Sequence, residues 1–178
     1  MTASIRIRAT TLQDIARLPA VERWSGQLFR SMAPLAWLAD EPATSAADHA
    51  EMVAAGTSWV AVSDEVPVGF VIAEIVDREL HVWELAVDLE HQRRGLGRRL
   101  MQTAIDSARG RRLAAVTLTT FRDVPWNAPF YRHLGFRPLT AGDAGPRLAG
   151  VLAGEAARGL DGRCAMRLSL VSDHAATR

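Results

Sequence analysis

The sequence predicts an α/β protein built on a mixed sheet with helices on both faces. Three alternating segments, at 58–63, 68–76 and 79–87, follow one another across short turns, which is typical of an antiparallel meander. Further along the chain, helical and alternating segments take turns. A sheet crossed by such helices is covered on both faces, so the two observations together indicate the fold class.

The segments before the meander are mainly helical. Residues 4–9 alternate apolar and arginine side chains, which predicts a strand. The predicted order after it is a helix capped by Thr10 or Thr11, a helix over 19–38 that is broken near Pro34, and a helix through Ala55 that Thr44 or Ser45 caps and Gly56 closes.

The segments after the meander alternate between helix and strand. A helix over 96–110 has an apolar stripe formed by Leu96, Leu100, Met101, Ala104, Ile105 and Ala108. The predicted order beyond it is a strand at 113–120, a short helix at 129–134, a strand at 136–139, a helix at 145–158 and a strand at 163–170. We expect a single domain over residues 1–171 and a loose tail at 172–178.

The composition restricts the class of protein. With 48% hydrophobic and 23% charged residues in 178, the chain has the composition of a globular protein and not of a disordered one. A net charge of +1 favours neither a nucleic-acid nor a membrane partner. A single cysteine and the absence of an apolar signal core predict a cytoplasmic protein. Cys164 shares a strand face with Met166 and Leu168, which indicates a core position and argues against an acyl-cysteine intermediate.

All 21 basic residues are arginine. The lack of lysine excludes Schiff-base catalysis by a lysine side chain. It also excludes a Walker A phosphate loop, whose lysine contacts the phosphates.

The segment from Val87 to Arg98 is the most informative part of the chain. A strand ends there, a polar loop follows, and a helix begins at Gly95 and Gly97. Glycines let backbone N–H groups approach a ligand, and a helix start carries partial positive charge, so a pyrophosphate suits the place. The alternative is that the glycines only begin a helix and the arginines form a solvated face. A dinucleotide-binding fingerprint fits poorly, because Leu100 stands where a third glycine is needed.

Two motifs in the sequence resemble those of the GNAT family of acyl-CoA-dependent N-acetyltransferases. Gln92-Arg93-Arg94-Gly95-Leu96-Gly97 is similar to the family's Gln/Arg-x-x-Gly-x-Gly/Ala core motif. The segment from Tyr131 to Phe136 resembles its Tyr-x-x-x-Gly-Phe motif. The resemblance implies a GNAT fold, with a mostly antiparallel twisted sheet and a splayed parallel strand pair.

The resemblance also implies acetyl-CoA as cosubstrate and no metal. The implied pyrophosphate contacts are the backbone amides of Gln92, Arg93, Arg94, Gly95, Leu96, Gly97 and Arg98. The pantetheine arm would pair with the backbone of Leu85, Ala86 and Val87, as an added strand does at an open edge. The thioester would lie between that strand and the one at 113–120. Asn127 is a further candidate contact, and the family often forms homodimers.

Three side chains are candidates for the chemistry. Tyr131, on the family's acid position, enters the reaction protonated because a phenol has a pKa of about 10, and it can protonate the departing thiolate. Glu84 is the candidate base or water-orienting group, and His81 is the rival base, since a histidine titrates nearer neutrality. The structural alternatives are a packing tyrosine and a glutamate paired with an arginine.

The acceptor is expected to be a small-molecule or peptide amine. Trp24, Trp37 and Trp126 could line an aromatic slot for it, although large aromatic residues also serve as core. Because Cys164 is expected in the core, direct transfer in a ternary complex is the simpler route. Two alternatives remain open: a GNAT-like acyl-CoA-binding module without catalysis, and a nucleotide-phosphate binder that uses the same glycine turn.

Overall fold

The computed structural model describes residues 4–171, so the tail predicted at 172–178 lies outside the described residues. The strands are β1 (Ile5–Ala9), β2 (Ser58–Ser63), β3 (Val66–Val76), β4 (Glu79–Val87), β5 (Ala115–Phe121), β6 (Arg137–Pro138) and β7 (Arg163–Ser169). The α-helices are α1 (Leu18–Gly26), α2 (Ala46–Ala54), α3 (Leu96–Gly110), α4 (Ala128–His133) and α5 (Gly145–Ala157). No helix within residues 4–171 combines the length and the apolar character needed to cross a membrane.

The strands form one mixed seven-stranded sheet in the order β1-β2-β3-β4-β5-β7-β6, with helices on both faces. This confirms the predicted fold class. β1 pairs antiparallel with β2, β2 with β3, β5 with β7, and β6 with β7. β4 and β5 pair in parallel over 79–82 and 115–118, while β4 continues to Val87 and β5 to Phe121. The parallel pairing therefore covers only the first part of each strand.

The chain divides into two compact units, and the divisions fall inside β3, β4 and α3. One unit comprises the residues up to Glu74 together with Trp83–Ser107, and the other comprises Ile75–Val82 together with the residues from Ala108 onward. The single domain over residues 1–171 remains a prediction.

The first unit has its core under β2 and β3. All six residues of β2 are buried, as are seven of the eleven residues of β3. The central apolar cluster consists of Leu18, Val21, Val60, Val62, Phe70, Ile72 and Ala86, with Met52 packed against it. Complete burial of one valine, leucine or phenylalanine contributes about 1.5–3 kcal/mol, so this cluster makes a large contribution to the stability of the unit.

The second unit is built on the antiparallel pair of β5 and β7, whose seven residue pairs run from Ala115–Ser169 to Phe121–Arg163. Its buried apolar side chains include Val116, Leu118, Phe136, Leu148, Cys164 and Met166. Cys164 is thus in the core, as predicted, and burial raises the pKa of its thiol.

The helix predicted to follow Thr10 or Thr11 is wrong. Successive i to i+3 hydrogen bonds join Asp14 N to Thr11 O and Arg17 N to Asp14 O, and a regular helix begins only at Leu18. The reason is local. The Asp14 carboxylate accepts hydrogen bonds from the Thr11 N–H and hydroxyl, both at 2.8 Å, which holds the chain in a turn.

The broken helix predicted over 19–38 is shorter than expected. α1 ends at Gly26, and two 3₁₀ segments, Gln27–Ser31 and Ala33–Asp40, meet at Met32, whose backbone is extended. Side chains fasten this stretch to the rest of the unit. Gln27 Nε2 donates to Ala39 O at 3.1 Å, and the Glu22 carboxylate accepts from Thr44 N at 3.0 Å. Side-chain hydrogen bonds, and not helix propensity, therefore determine the course of the chain through this stretch.

Most of the remaining boundaries follow the prediction. β2, β4 and α3 have the bounds predicted for them, and the apolar stripe of α3 is buried along its whole length. β5 begins two residues later than predicted, and β6 is reduced to two residues. Ser45 caps α2 by accepting from Asp48 N at 3.1 Å, which selects between the two predicted caps.

We predict that Asp14→Asn lowers the free energy of unfolding by about 2 kcal/mol at pH 7. The Arg8 guanidinium donates two hydrogen bonds to the Asp14 carboxylate, at 2.7 and 2.9 Å. Despite burial, these bonds lower the pKa of Asp14 to about 2. A lowered carboxyl pKa stabilises the fold above about pH 4, and this stabilisation is lost as the pH falls towards 2. Urea unfolding at pH 7, 5 and 3 measures the difference, which should be constant down to pH 5 and smaller at pH 3.

The matched control is Glu65→Gln, which removes the exposed partner of Arg6. Because exposed ion pairs contribute about 0–1 kcal/mol, this change should have a small effect at every pH. An equal loss in both variants would contradict the role given to Asp14.

Candidate functional site

The turn after β4 is closed by side chains of its own residues. Asp88 accepts a hydrogen bond from Glu90 N at 3.2 Å and begins a short 3₁₀ segment, Leu89–His91. Gln92 Nε2 then donates to Val87 O at 2.8 Å. The Gln92 side chain therefore ties the turn to the end of β4, and this fixes where the next helix can begin.

The start of α3 exposes backbone donors. Gly95 has φ +75°, a left-handed conformation that favours glycine, and nothing lies within 4 Å of the position that a Cβ would take. The first helical hydrogen bond runs from Arg99 N to Gly95 O at 3.0 Å. The N–H groups of Leu96, Gly97 and Arg98 precede this bond, so the helix supplies them with no acceptor. They form a donor set for an anion, supported by the partial positive charge of a helix start.

Arginines adjoin this donor set in the sequence. Arg93, Arg94 and Arg98 are exposed, and Arg93 has a left-handed backbone with φ +58°. Arg99 is directed elsewhere, because its Nη2 donates to Ile5 O at 3.2 Å. The predicted phosphate-binding residues from Gln92 to Arg98 thus lie in one turn, where three guanidinium groups add to the positive field.

Gly69 on β3 is a residue that the sequence analysis missed. A Cβ at this position would lie 3.1 Å from Ala86 O and 3.3 Å from side-chain atoms of Val87 and Leu100. The glycine therefore allows α3 and the end of β4 to approach β3 closely. The signal was available, since a glycine inside a strand pattern often marks a close approach of backbone.

The end of β4 has one edge toward β3 and one edge away from it. Asp88 N donates to Val68 O at 2.9 Å, so Asp88 faces β3. Val87, one residue earlier, directs its backbone groups to the opposite edge, because these groups alternate along a strand. By the same alternation Leu85 faces that edge, whereas Ala86 faces β3. Glu84 is half-buried on this strand.

His81 differs from its prediction. Its side chain is 0% exposed, and its Nδ1 lies 3.0 Å from Thr117 Oγ1. Burial, together with the charge of Arg147, lowers the pKa of His81 to about 4. The expectation that His81 titrates near neutrality is therefore wrong, because a buried imidazolium loses its hydration.

Tyr131 lies in α4 and is held by aromatic neighbours. Its ring makes edge-on contacts with Phe130, at 5.0 Å between centroids, and with Phe136, at 5.8 Å. Asn127 caps the helix through its carbonyl, which accepts from Tyr131 N at 3.1 Å, and its side-chain Oδ1 accepts from Thr120 Oγ1 at 2.7 Å. Asn127 therefore joins the start of α4 to β5, in the same unit as Tyr131.

The three candidate tryptophans are not brought together in one unit. Trp24, 55% exposed on α1, lies in a depression of about 450 Å³ lined by Ala20, Arg23 and Gln27. Trp37 is in the second 3₁₀ segment and is also exposed. Trp126 belongs to the other unit and is half-buried beside α4. Within residues 4–171 no group of three or more His, Cys, Asp or Glu side chains is placed to hold a metal ion.

Comparison with known proteins identifies the family. The model of the acetyltransferase (GNAT) family matches residues 18–136, about two thirds of the sequence, and the chain belongs to this family. The match includes β4, the turn before α3, α3 itself and Tyr131, so the predicted resemblance is confirmed.

Solved structures share the fold at low sequence identity. The PaiA N-acetyltransferase of Thermoplasma acidophilum, in complex with coenzyme A, is 17% identical with a TM-score of 0.68, and the match covers 93% of this chain and 99% of that chain. The ribosomal-protein-S18-alanine N-acetyltransferase of Escherichia coli is 18% identical with a TM-score of 0.66, over 98% and 99% of the two chains. N-acetylglutamate synthase of Neisseria gonorrhoeae, with coenzyme A and N-acetyl-glutamate, is 15% identical with a TM-score of 0.69, over 97% of this chain and 36% of that chain.

We predict that His81→Asn makes stability less dependent on pH. The folded His81 has a pKa of about 4, and an unfolded histidine has one of about 6.5, so only the unfolded chain binds the extra proton between these values. The wild type should therefore lose about 2 kcal/mol from this group between pH 7 and pH 5, a loss that the variant lacks. Urea unfolding of both proteins at the two pH values is the measurement, and parallel losses would contradict the prediction.

Proposed function

We propose that the protein is an N-acetyltransferase that moves an acetyl group from acetyl-CoA to an amine by direct attack in a ternary complex. The observation that carries this proposal is the start of α3, where three N–H groups without a helical acceptor lie among exposed arginines. Membership of the GNAT family and the coenzyme A bound in structural neighbours support it.

The pyrophosphate of acetyl-CoA would accept hydrogen bonds from Leu96, Gly97 and Arg98, with Arg93 and Arg94 adding charge. The pantetheine arm would pair with the outward edge of β4. The C=O of Val87 already accepts from Gln92, which leaves the N–H of Val87 and both backbone groups of Leu85 for the arm. The arm would therefore bind as a short added strand.

The reaction needs two proton transfers. The amine nitrogen attacks the thioester carbonyl carbon, the C–S bond breaks, and the thiolate takes a proton that Tyr131 can supply from its phenol. The nitrogen loses its own proton to a base or to a water chain. Tyr131 suits the acid role because its edge-on contacts with Phe130 and Phe136 restrict the motion of its ring.

Glu84 is the better candidate for receiving the amine proton, directly or through a water molecule. It is half-buried, whereas His81 is enclosed and engaged with Thr117. A base must reach the proton it removes, so a fully enclosed imidazole is disfavoured. The acceptor would be a small-molecule or peptide amine, with Trp24, Trp37 and Trp126 as candidate contacts.

The alternative is an acyl-CoA-binding module without catalysis. Such a module would need the turn at the start of α3 but not a phenol at position 131. Retention of Tyr131 therefore favours the enzyme. Release of free CoA in the presence of a panel of amines distinguishes the two functions.

We predict that acetyl-CoA stabilises the wild type and not Gly97→Asp. At a ligand concentration one hundred times Kd the stabilisation should be about 2.7 kcal/mol. An aspartate at position 97 puts a negative charge among the N–H groups that face the diphosphate, which opposes binding. Thermal melts and calorimetric titration measure the two effects.

Gly110→Asp is the matched control, because it adds the same charge at the other end of α3, where a Cβ has open space. Binding should survive in this variant. Wild-type affinity in Gly97→Asp would mean that the phosphates bind elsewhere.

We predict that Tyr131→Phe lowers kcat by about 10²–10⁴-fold with little change in the KM for acetyl-CoA, since general acid catalysis contributes about that factor. The change deletes one hydroxyl and keeps both ring contacts, so the melting temperature should be nearly unchanged. Steady-state kinetics with an accepted amine, or the slow hydrolysis of acetyl-CoA, measures the effect. A kcat within about threefold of the wild type would remove Tyr131 from the mechanism.

A further inference from the structure

The far end of β5 is held by a compact charged cluster that the proposed reaction does not use. Arg163 and Glu155 form a fork, with Nη2 to Oε1 at 2.7 Å and Nε to Oε2 at 3.1 Å. Their side chains are only 19% and 11% exposed. A bidentate pair of this kind fixes geometry as well as charge, because two parallel hydrogen bonds allow one orientation.

Both side chains of the fork also form hydrogen bonds with Thr119 on β5. The Thr119 hydroxyl donates to Glu155 Oε1 at 2.6 Å, and Arg163 Nη2 donates both to Thr119 Oγ1 and to Thr119 O, each at 3.1 Å. The same guanidinium lies over the Phe121 ring, 4.9 Å from its centroid. One arginine from β7 and one glutamate from α5 therefore hold the last residues of β5.

Thr119 lies where β5 continues beyond its pairing with β4, and this position indicates the role of the cluster. Parallel pairing with β4 ends at Leu118, so Thr119 is the first residue of β5 beyond it. Arg122 N bonds to Gly162 O on the β7 side, and by strand alternation Thr119 directs its C=O away from β7. A carbonyl at this position would be open to a further strand. Arg163 occupies it instead.

We propose that Arg163 and Glu155 are positioning residues for acyl-CoA, which order the end of β5 and keep its outward carbonyl occupied before the ligand arrives. The inference rests on the proposed function. Backbone pairing with β7 extends to Phe121 and would survive loss of the fork. The loss would free the outward carbonyl of Thr119 and let the end of β5 take other conformations. If the competent arrangement then falls to about a tenth of the population, the apparent Kd rises about tenfold.

A second cluster in the same unit supplies a matched control. Glu79 accepts from Arg147 Nη2 at 2.8 Å and is paired with Arg167, and its side chain is 13% exposed. It resembles Glu155 in burial and in having an arginine partner from β7. It differs in place, because Glu79 lies in the stretch where β4 and β5 are paired.

The test compares Glu155→Gln, Arg163→Lys and Glu79→Gln in the full-length protein. Calorimetric titration with acetyl-CoA, well below each melting temperature, should give a Kd raised about tenfold in the first two and within about threefold of the wild type in the third. All three variants should have lower melting temperatures than the wild type. A role in stability alone would therefore not distinguish the first two variants from the third. The double variant should lose little more affinity than either single one, since both changes break the same fork.

Thr119→Val provides a milder variant in case the fork variants fold poorly. It deletes only the hydroxyl that donates to Glu155 and keeps a branched side chain suited to a strand, and it should raise the Kd by a smaller factor than Glu155→Gln does. Amide exchange at Arg122 should be faster in the fork variants and unchanged in Glu79→Gln.

Three outcomes would overturn the inference. Wild-type affinity in Glu155→Gln and Arg163→Lys would remove the positioning role and leave the proposed function intact. Tighter binding in Glu155→Gln would mean that Arg163 contacts the anionic cofactor directly, because that change removes a competing negative charge. Absence of acetyl-CoA binding by the wild type would refute the proposed function and this inference with it.

Discussion

The position at which α3 begins is the constraint on which the candidate site depends. Gly95 takes a left-handed conformation and supplies the acceptor of the first helical hydrogen bond. Gln92 ties the preceding turn to Val87, and Gly69 lets the helix lie close to β3. All of these features constrain the residues at the start of α3. A shift of the helix start by one residue would turn its free N–H groups away from the edge of β4 that the acyl arm is proposed to use.

The two arginine–glutamate clusters of the second unit have a different physical character. Burying ionised groups is costly, and a buried pair often contributes little net stability compared with apolar packing. Such pairs are directional, however. The Glu79 cluster lies at the start of β4, where the parallel strands pair, and the Glu155 cluster lies where β5 continues beyond that pairing. The charged side chains of α5 and β7 therefore form directional contacts along β5, and such contacts can fix the course of a strand.

Individual titratable groups have their roles set by burial. His81 and Glu84 are three residues apart on one strand, and the sequence offered both as a base. Enclosure against Thr117 keeps His81 neutral well below neutral pH, whereas Glu84 stays partly exposed. Asp14 shows the opposite effect, since its arginine partner and the Thr11 donors outweigh the cost of burial and keep it ionised. The protonation state of such a group therefore cannot be assigned from its residue type alone, without its neighbours.

The sequence by itself determined most of the order of the elements, the meander, the bounds of α3 and the place of the glycine turn before it. These features are local: alternation, an apolar stripe, a glycine that requires a left-handed backbone and a motif of six consecutive residues all lie within short windows. The tertiary structure decided the rest. Burial beside Thr117 and the charge of Arg147 lower the pKa of His81, and Arg163 contacts Thr119, which is 44 residues away in the sequence. These outcomes depend on burial and on contacts between distant segments, and no local pattern in the chain encodes either.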